Sequence, residues 1–236
     1  MSATSEPPSA AAPTARRARG LDVHGRQKPL LRGWIHAVAV PVAIAAGVVL
    51  VVLAATPATK AGAAVYMVTS IVLFGLSAVY HLVDWSPRVA AVFRRIDHAN
   101  IFLLIAGTYT PLSIAALEWP KNLILLAVIW GGALLGVAFR IFWLTAPRWL
   151  YVPLYVLLGW AAVLFMGELF AYDAAMMTLV LIGGGFYTLG AVFYALKRPN
   201  PRPGVFGFHE MFHSCTVIAF LCQWAGILLA VLHPVI

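Results

Sequence analysis

The stretch Phe208-His209-Glu210-Met211-Phe212-His213 opens the last long apolar run of the chain, which continues to Leu232. A run of that length crosses a bilayer as a helix, for which about 20 apolar residues suffice. On an α-helix, two histidines four apart lie about 40° from one another, one turn apart on the same face. This is the spacing at which one helix offers two imidazoles to one metal ion. The six residues also read His-Glu-x-x-His, the zinc-protease pattern, but here the pattern enters a hydrophobic segment instead of a soluble helix. A histidine pair on a helix is more often coincidence than metal site, so the rest of the chain has to decide.

Of the 236 residues, 62% are hydrophobic and 10% are charged. A soluble domain holds about 45–50% and about 25% respectively. The composition therefore specifies a polytopic membrane protein. The net charge of +8 would suggest nucleic acid in a soluble chain, but here it reflects the cytoplasmic bias of Lys and Arg, and no nucleic-acid partner is expected. Cys215 and Cys222 both lie in the last apolar run, where a disulfide framework is not expected.

Residues 1–28 are rich in Pro, Ala, Ser and Arg and nearly free of large apolar side chains. They read as a disordered basic tail, and residues 29–236 as one transmembrane domain. The apolar run after Arg16, Arg17 and Arg19 is span-length and its polar lead is long, so it reads as an uncleaved first helix rather than a signal peptide. The spans are expected at about 34–53, 62–83, 96–116, 123–139, 150–167, 175–196 and 205–232. A turn is expected at Thr56–Lys60, a polar loop at Asp84–Arg95, another loop at Arg140–Arg148 and an acidic, aromatic turn at Glu168–Asp173. A stiff basic linker, Lys197–Gly204, precedes the last span. The fold class is thus an all-α protein of seven transmembrane helices. With alternating spans, fourteen of the sixteen Lys and Arg fall on one side, and only Lys60 and Lys121 on the other. That asymmetry puts the N-terminus in the cytoplasm and the C-terminus outside.

Ionisable groups inside spans are functional candidates by default. His81 ends the second span, Asp97 starts the third, and His209 and His213 start the seventh. All four fall within roughly 15 Å of the inner boundary at 1.5 Å per residue. Three histidines from two helices and a carboxylate from a third suit a zinc site with one position left for water. Ser77, one turn deeper than His81, is a candidate to hold that water or a substrate carbonyl, or else a packing serine. Asp97 is a candidate base, or else a helix-start charge paired with Arg94 or Arg95. Glu210 is the alternative base, although it points about 100° away from His209. His98 is expected to turn away from whatever Asp97 faces. His36 is a weaker contributor, while His24 and His233 read as solvated, and Cys215 and Cys222 point away from His213.

Ser77-x-x-x-His81, then Asp97-His98-Ala99-Asn100-Ile101-Phe102-Leu103-Leu104-Ile105-Ala106-Gly107-Thr108-Tyr109-Thr110-Pro111, then His209-x-x-x-His213 together resemble the hemolysin III branch of the progestin and adipoQ receptor family. The resemblance runs from about residue 30 to the C-terminus. It implies seven helices, a zinc ion held by His81, His209 and His213, an aspartate on the zinc water at Asp97, and a nearby serine at Ser77. It also implies a link to lipid-amide hydrolysis, known in the adiponectin-receptor branch and in alkaline ceramidases. Glu210 departs from the neutral residue of the receptor branch, so the base stays open between Asp97 and Glu210.

Three functions compete. The first is a zinc-dependent hydrolase acting on a lipid amide or ester that enters from the inner leaflet, which requires an open metal position and a lipid-wide cavity. The second is a receptor-like sensor or regulator of membrane homeostasis, with zinc stapling spans two, three and seven. The third is a pore-forming cytolysin, which seven uncleaved spans disfavour. The expected location is a bacterial plasma membrane, with a membrane lipid as substrate or ligand. Gly131-Gly132 and Gly183-Gly184-Gly185 are expected to mark close helix contacts, within one chain or in a homo-oligomer.

Overall fold

A computed structural model describes residues 29–235; the expected tail and His24 lie outside the described residues. The described chain forms α1 (Trp34–Leu53), α2 (Pro57–Leu82), α3 (Pro87–Ala116), α4 (Lys121–Phe142), α5 (Arg148–Gly159), a 3-10 turn (Ala161–Phe165), α6 (Met166–Tyr172), α7 (Ala174–Leu196) and α8 (Phe208–Leu232). Seven segments are long and apolar enough to cross a membrane, the fifth being α5, the 3-10 turn and α6 together. The protein is an all-helical, multi-pass membrane protein.

Several boundaries differ from the sequence expectation, each for a local reason. Thr56 to Lys60 is not a turn, because α2 already begins at Pro57. Thr56 and Thr59 cap it reciprocally, with Thr59 N donating to Thr56 Oγ1 at 3.2 Å and Thr56 N to Thr59 Oγ1 at 3.1 Å. Proline at the first helical position costs nothing, since its missing N–H would have no partner there. The expected loop before residue 96 is likewise helical from Pro87, the first residue of α3. Asp97 therefore sits nearly three turns inside α3 rather than at its start. α4 runs on through Arg140 to Phe142, which makes Arg140 a buried residue of a spanning helix and not a loop residue. The acidic turn expected from Glu168 is helical up to Tyr172, and α8 starts at Phe208, three residues later than expected.

The fifth span is broken, which its hydropathy did not reveal. Backbone groups freed inside a bilayer must find other partners. Here Tyr109 of α3 supplies them: its hydroxyl donates to Gly159 O at 2.7 Å and accepts from Ala162 N at 2.8 Å. Trp160 at the break donates from Nε1 to Thr188 Oγ1 of α7 at 2.9 Å.

α3 is the central helix, with 78% of its apolar window buried against 17–50% for the other spans. α2 and α4 flank it, α1 packs on α2, and α7 packs on α8, which returns to touch α1 and α3. Loop contacts define two ends of the bundle. At one end, Leu30 N donates to Gly204 O, Arg95 Nε to Ile141 O, and Arg148 Nη1 to Tyr194 O. At the other, Ala55 N donates to Val231 O, Val235 N to Ala115 O, and Lys121 Nζ to Glu168 Oε1. The first end carries the arginines and the second carries Lys121.

The two glycine clusters each divide into contacting and open positions. A Cβ at Gly132 would meet Leu158 at 2.7 Å, and one at Gly183 would meet Gln223 Nε2 at 2.8 Å, so these mark close contacts within the chain. Gly131 and Gly185 face open space.

Candidate metal centre and cavity

His81 is the penultimate residue of α2, and His209 and His213 occupy the first two turns of α8. One ring nitrogen from each lies within 4.8 Å of the others. His209 Nε2 and His81 Nε2 are 3.2 Å apart, and the ring centroids stand 4.5–5.2 Å from one another. Two nitrogens bound tetrahedrally to zinc at about 2.0–2.1 Å would be about 3.3 Å apart. The His81–His209 pair already stands at that separation, and the convergence of three imidazoles suits a divalent transition metal.

The start of α8 is fixed from two sides. Glu210, 1% exposed, accepts from Gly207 N at 2.9 Å, which caps the helix, and from Arg32 Nε at 2.5 Å. Gly33, with φ +87°, lets the chain turn against α2: a Cβ there would meet Leu82 Cγ at 2.9 Å and His81 Cβ at 3.0 Å. Only a residue without a side chain takes that backbone conformation at no cost. The segment before α1 therefore packs on His81 and also anchors the helix that carries His209 and His213.

A cavity of about 120 Å³ leads away from the histidines into the bundle. His209 and His213 line it near the start of α8, Ser77 and Asp97 share the lining, and Gln223 lines it farther along α8. Ten residues separate His213 from Gln223, which is roughly 15 Å of helix. The walls between are apolar, with Leu73, Ile101, Leu104, Ile105 and Leu112 among them. Ser77 is buried and lines the cavity together with Asp97.

The remaining sequence candidates fall out differently. Both carboxylate oxygens of Glu210 have partners in Arg32 and Gly207, and Glu210 does not line the cavity. His98 does not turn away from the side that Asp97 faces: both line the cavity, which is wide enough to take two adjacent residues of α3. His98 Nδ1 is occupied by Arg140 Nη2 at 2.6 Å. His36 stacks on His213, with centroids 3.8 Å apart and planes 8° apart, and shares the cavity. His233 is exposed, and Cys215 and Cys222 are free thiols outside the histidine group. Tyr151, Tyr155 and Tyr194 also line the histidine end of the cavity and escaped the sequence reading. Their signal would have been Arg140, an ionisable residue that the sequence reading put just outside its span.

Fold and site together define a multi-pass helical membrane protein with a candidate three-histidine metal centre at one end of an apolar cavity. A family model described as haemolysin-III related matches residues 24–224, and the chain belongs to the haemolysin III family. It is 31% identical over 167 residues to the protein named hemolysin-3 from Bacillus cereus, covering 69% of this chain and 76% of that one. It is 29% identical over 167 residues to the hemolysin-3 homolog of Bacillus subtilis strain 168, covering 69% and 78%.

Proposed function

We propose that this protein is a zinc-dependent hydrolase of the plasma membrane that cleaves a long-chain amide or ester of a membrane lipid. The observation that carries the reading is the junction of three converging imidazoles with an elongated apolar cavity that also takes in Asp97 and Ser77. His81, His209 and His213 would hold the ion. When bound, zinc supplies Lewis acidity to a carbonyl and lowers the pKa of a coordinated water towards 7.

The chain supplies the rest. The cavity walls take the acyl chain and exclude bulk water, so the reacting carbonyl is fixed at the histidine end. Asp97 accepts a proton from the attacking water as its oxygen bonds to the carbonyl carbon. That proton then passes to the nitrogen or oxygen of the leaving group as the C–N or C–O bond breaks. Ser77 holds the Asp97 carboxylate in place. Charge asymmetry puts the arginine-bearing end, and with it the histidines, at the cytoplasmic face, so substrate would enter from the inner leaflet.

The test is zinc content and hydrolysis of long-chain N-acyl amides and esters, measured on the same detergent-purified samples. Near-stoichiometric zinc with turnover that disappears in Asp97→Ala supports the hydrolase. Zinc without turnover on any long-chain substrate assigns the ion a structural, sensor-type role instead.

A further inference from the structure

Beside the histidines, the same end of the cavity carries a polar chain that the hydrolytic reading does not use. It starts at Arg140, which is 1% exposed and stacks over the Tyr151 ring at 4.2 Å. Arginine is a donor only and stays charged in proteins. The 2.6 Å contact from Arg140 Nη2 therefore makes His98 Nδ1 an acceptor. An imidazole that accepts at Nδ1 carries its proton at Nε2. His98 Nε2 is 3.4 Å from the Tyr194 hydroxyl, so His98 donates to Tyr194 Oη.

Tyr151 Oη lies 3.3 Å from Tyr194 Oη. One contact between two hydroxyls uses one of their two protons. With Tyr151 as donor, one of the two directions the contact allows, Tyr194 Oη accepts from His98 and from Tyr151, both its lone pairs are filled, and its own O–H has no acceptor among the described residues. Of the other tyrosines in the lining, Tyr155 donates to His98 O at 3.0 Å and Tyr109 to Gly159 O at 2.7 Å, while the Tyr187 hydroxyl also has no partner among the described residues but lies about two turns from Tyr194 along α7. Tyr194 lines the cavity, and its ring centroid is 5.9 Å from that of His209. The Arg148 guanidinium lies 4.4 Å over the same ring, with Nη1 donating to Tyr194 O at 3.0 Å, which fixes the side chain at the end of α7. A chain of hydrogen bonds that starts at a buried cation polarises each successive donor in a low-dielectric site.

We infer that Tyr194 is the hydrogen-bond donor for the carbonyl oxygen of the lipid, held for that task by His98, Tyr151 and Arg140. The inference takes the chemical class of its ligand, a long-chain amide, from the hydrolase reading. It concerns binding of the carbonyl and does not require turnover. Stabilisation by a fixed donor is strongest where charge builds up on the oxygen as the carbonyl is attacked.

The experiment compares two labelled probes on detergent-purified full-length protein: N-palmitoylethanolamine, which has the carbonyl, and 2-(hexadecyloxy)ethanol, an ether of similar length without it. Tyr194→Phe should weaken binding of the amide by about tenfold, the loss expected for one hydrogen bond in a dry site, and leave the ether unchanged. His98→Asn, which keeps an acceptor for Arg140 but removes the Nε2 proton, should weaken the amide by a smaller factor and spare the ether. It also serves as the second variant if Tyr194→Phe does not fold. Equal loss for both probes would reduce Tyr194 to packing and overturn the inference, as would no loss for either or no binding of the amide to the wild type. Turnover of the amide by the wild type is scored separately. Its absence with the selective binding loss intact counts against the hydrolase alone.

Discussion

Arg32 and Glu210 form an ion pair that joins the segment before α1 to the first turn of α8, with Arg32 Nε 2.5 Å from Glu210 Oε1. Glu210 is 1% exposed, and its other oxygen caps the helix at Gly207 N. A carboxylate with both oxygens engaged is a structural group. Removing one partner of a buried pair costs about 3–5 kcal/mol, because the other charge is left without compensation. Glu210→Ala should therefore lower the thermal midpoint in detergent steeply. Glu210→Gln, which retains a cap acceptor, should lower it less and keep both zinc and activity. Full stability of Glu210→Gln with loss of turnover would instead make Glu210 the base.

The three histidines should behave as one ligand set. His81→Ala, His209→Ala and His213→Ala should each reduce bound zinc to a small fraction of the wild-type content, read by elemental analysis of purified protein. Chelation of the wild type should lower its thermal midpoint, since a ligand bound only by the folded state stabilises it. Retention of stoichiometric metal in all three variants would dissolve the site.

Asp97 separates chemistry from metal binding. It lines the cavity but is not one of the three converging donors. Asp97→Asn should keep zinc and lose about 10²–10⁴-fold in turnover, the usual contribution of a positioned proton acceptor. Ser77→Ala should lose less, since Ser77 is assigned only to orient Asp97 from the same lining. Loss of zinc from Asp97→Asn would place the carboxylate among the ligands instead.

Tyr109 should prove a structural residue despite lining the cavity. Tyr109→Phe leaves Gly159 O and Ala162 N of the broken fifth span without their partner. Each buried group left unsatisfied costs about 1–3 kcal/mol. The expected result is a clear fall in thermal midpoint with zinc content unchanged in the folded fraction. No change in stability would mean that the break finds other partners.

Close packing of α3 on α4 gives a further check. A Cβ at Gly136 would stand 2.5 Å from the ring of Phe102, which is itself 2% exposed. Overpacking typically costs about 1–3 kcal/mol, so Gly136→Ala should be destabilising, whereas Gly131→Ala, which faces open space, should be neutral. The two substitutions can be compared by thermal unfolding in the same detergent.

Hydropathy alone determined the seven spans, because a bilayer admits only backbone that satisfies itself and a helix of about 20 apolar residues does so without reference to its neighbours. The four-residue spacing of His209 and His213 and the shared depth of His81 and Asp97 were legible for the same reason: helix geometry is local and regular. Resemblance to a family assigned the ligand set that those depths allowed. What sequence could not supply depends on contacts between distant residues. The break in the fifth span rests on Tyr109, some fifty positions earlier, so its local sequence reads as one continuous helix. The partner of Glu210 is Arg32, at the far end of the chain, and its identity turns a rival base into a cap and an ion pair. His98 could not be placed from its angle to Asp97, because only the packing of α3, α5 and α7 sets the width of the cavity that both face. Tyr194 and Arg140 belong to different helices, and neither has a role until tertiary structure brings His98 between them, since a hydrogen-bonded chain exists only at distances that a sequence does not contain.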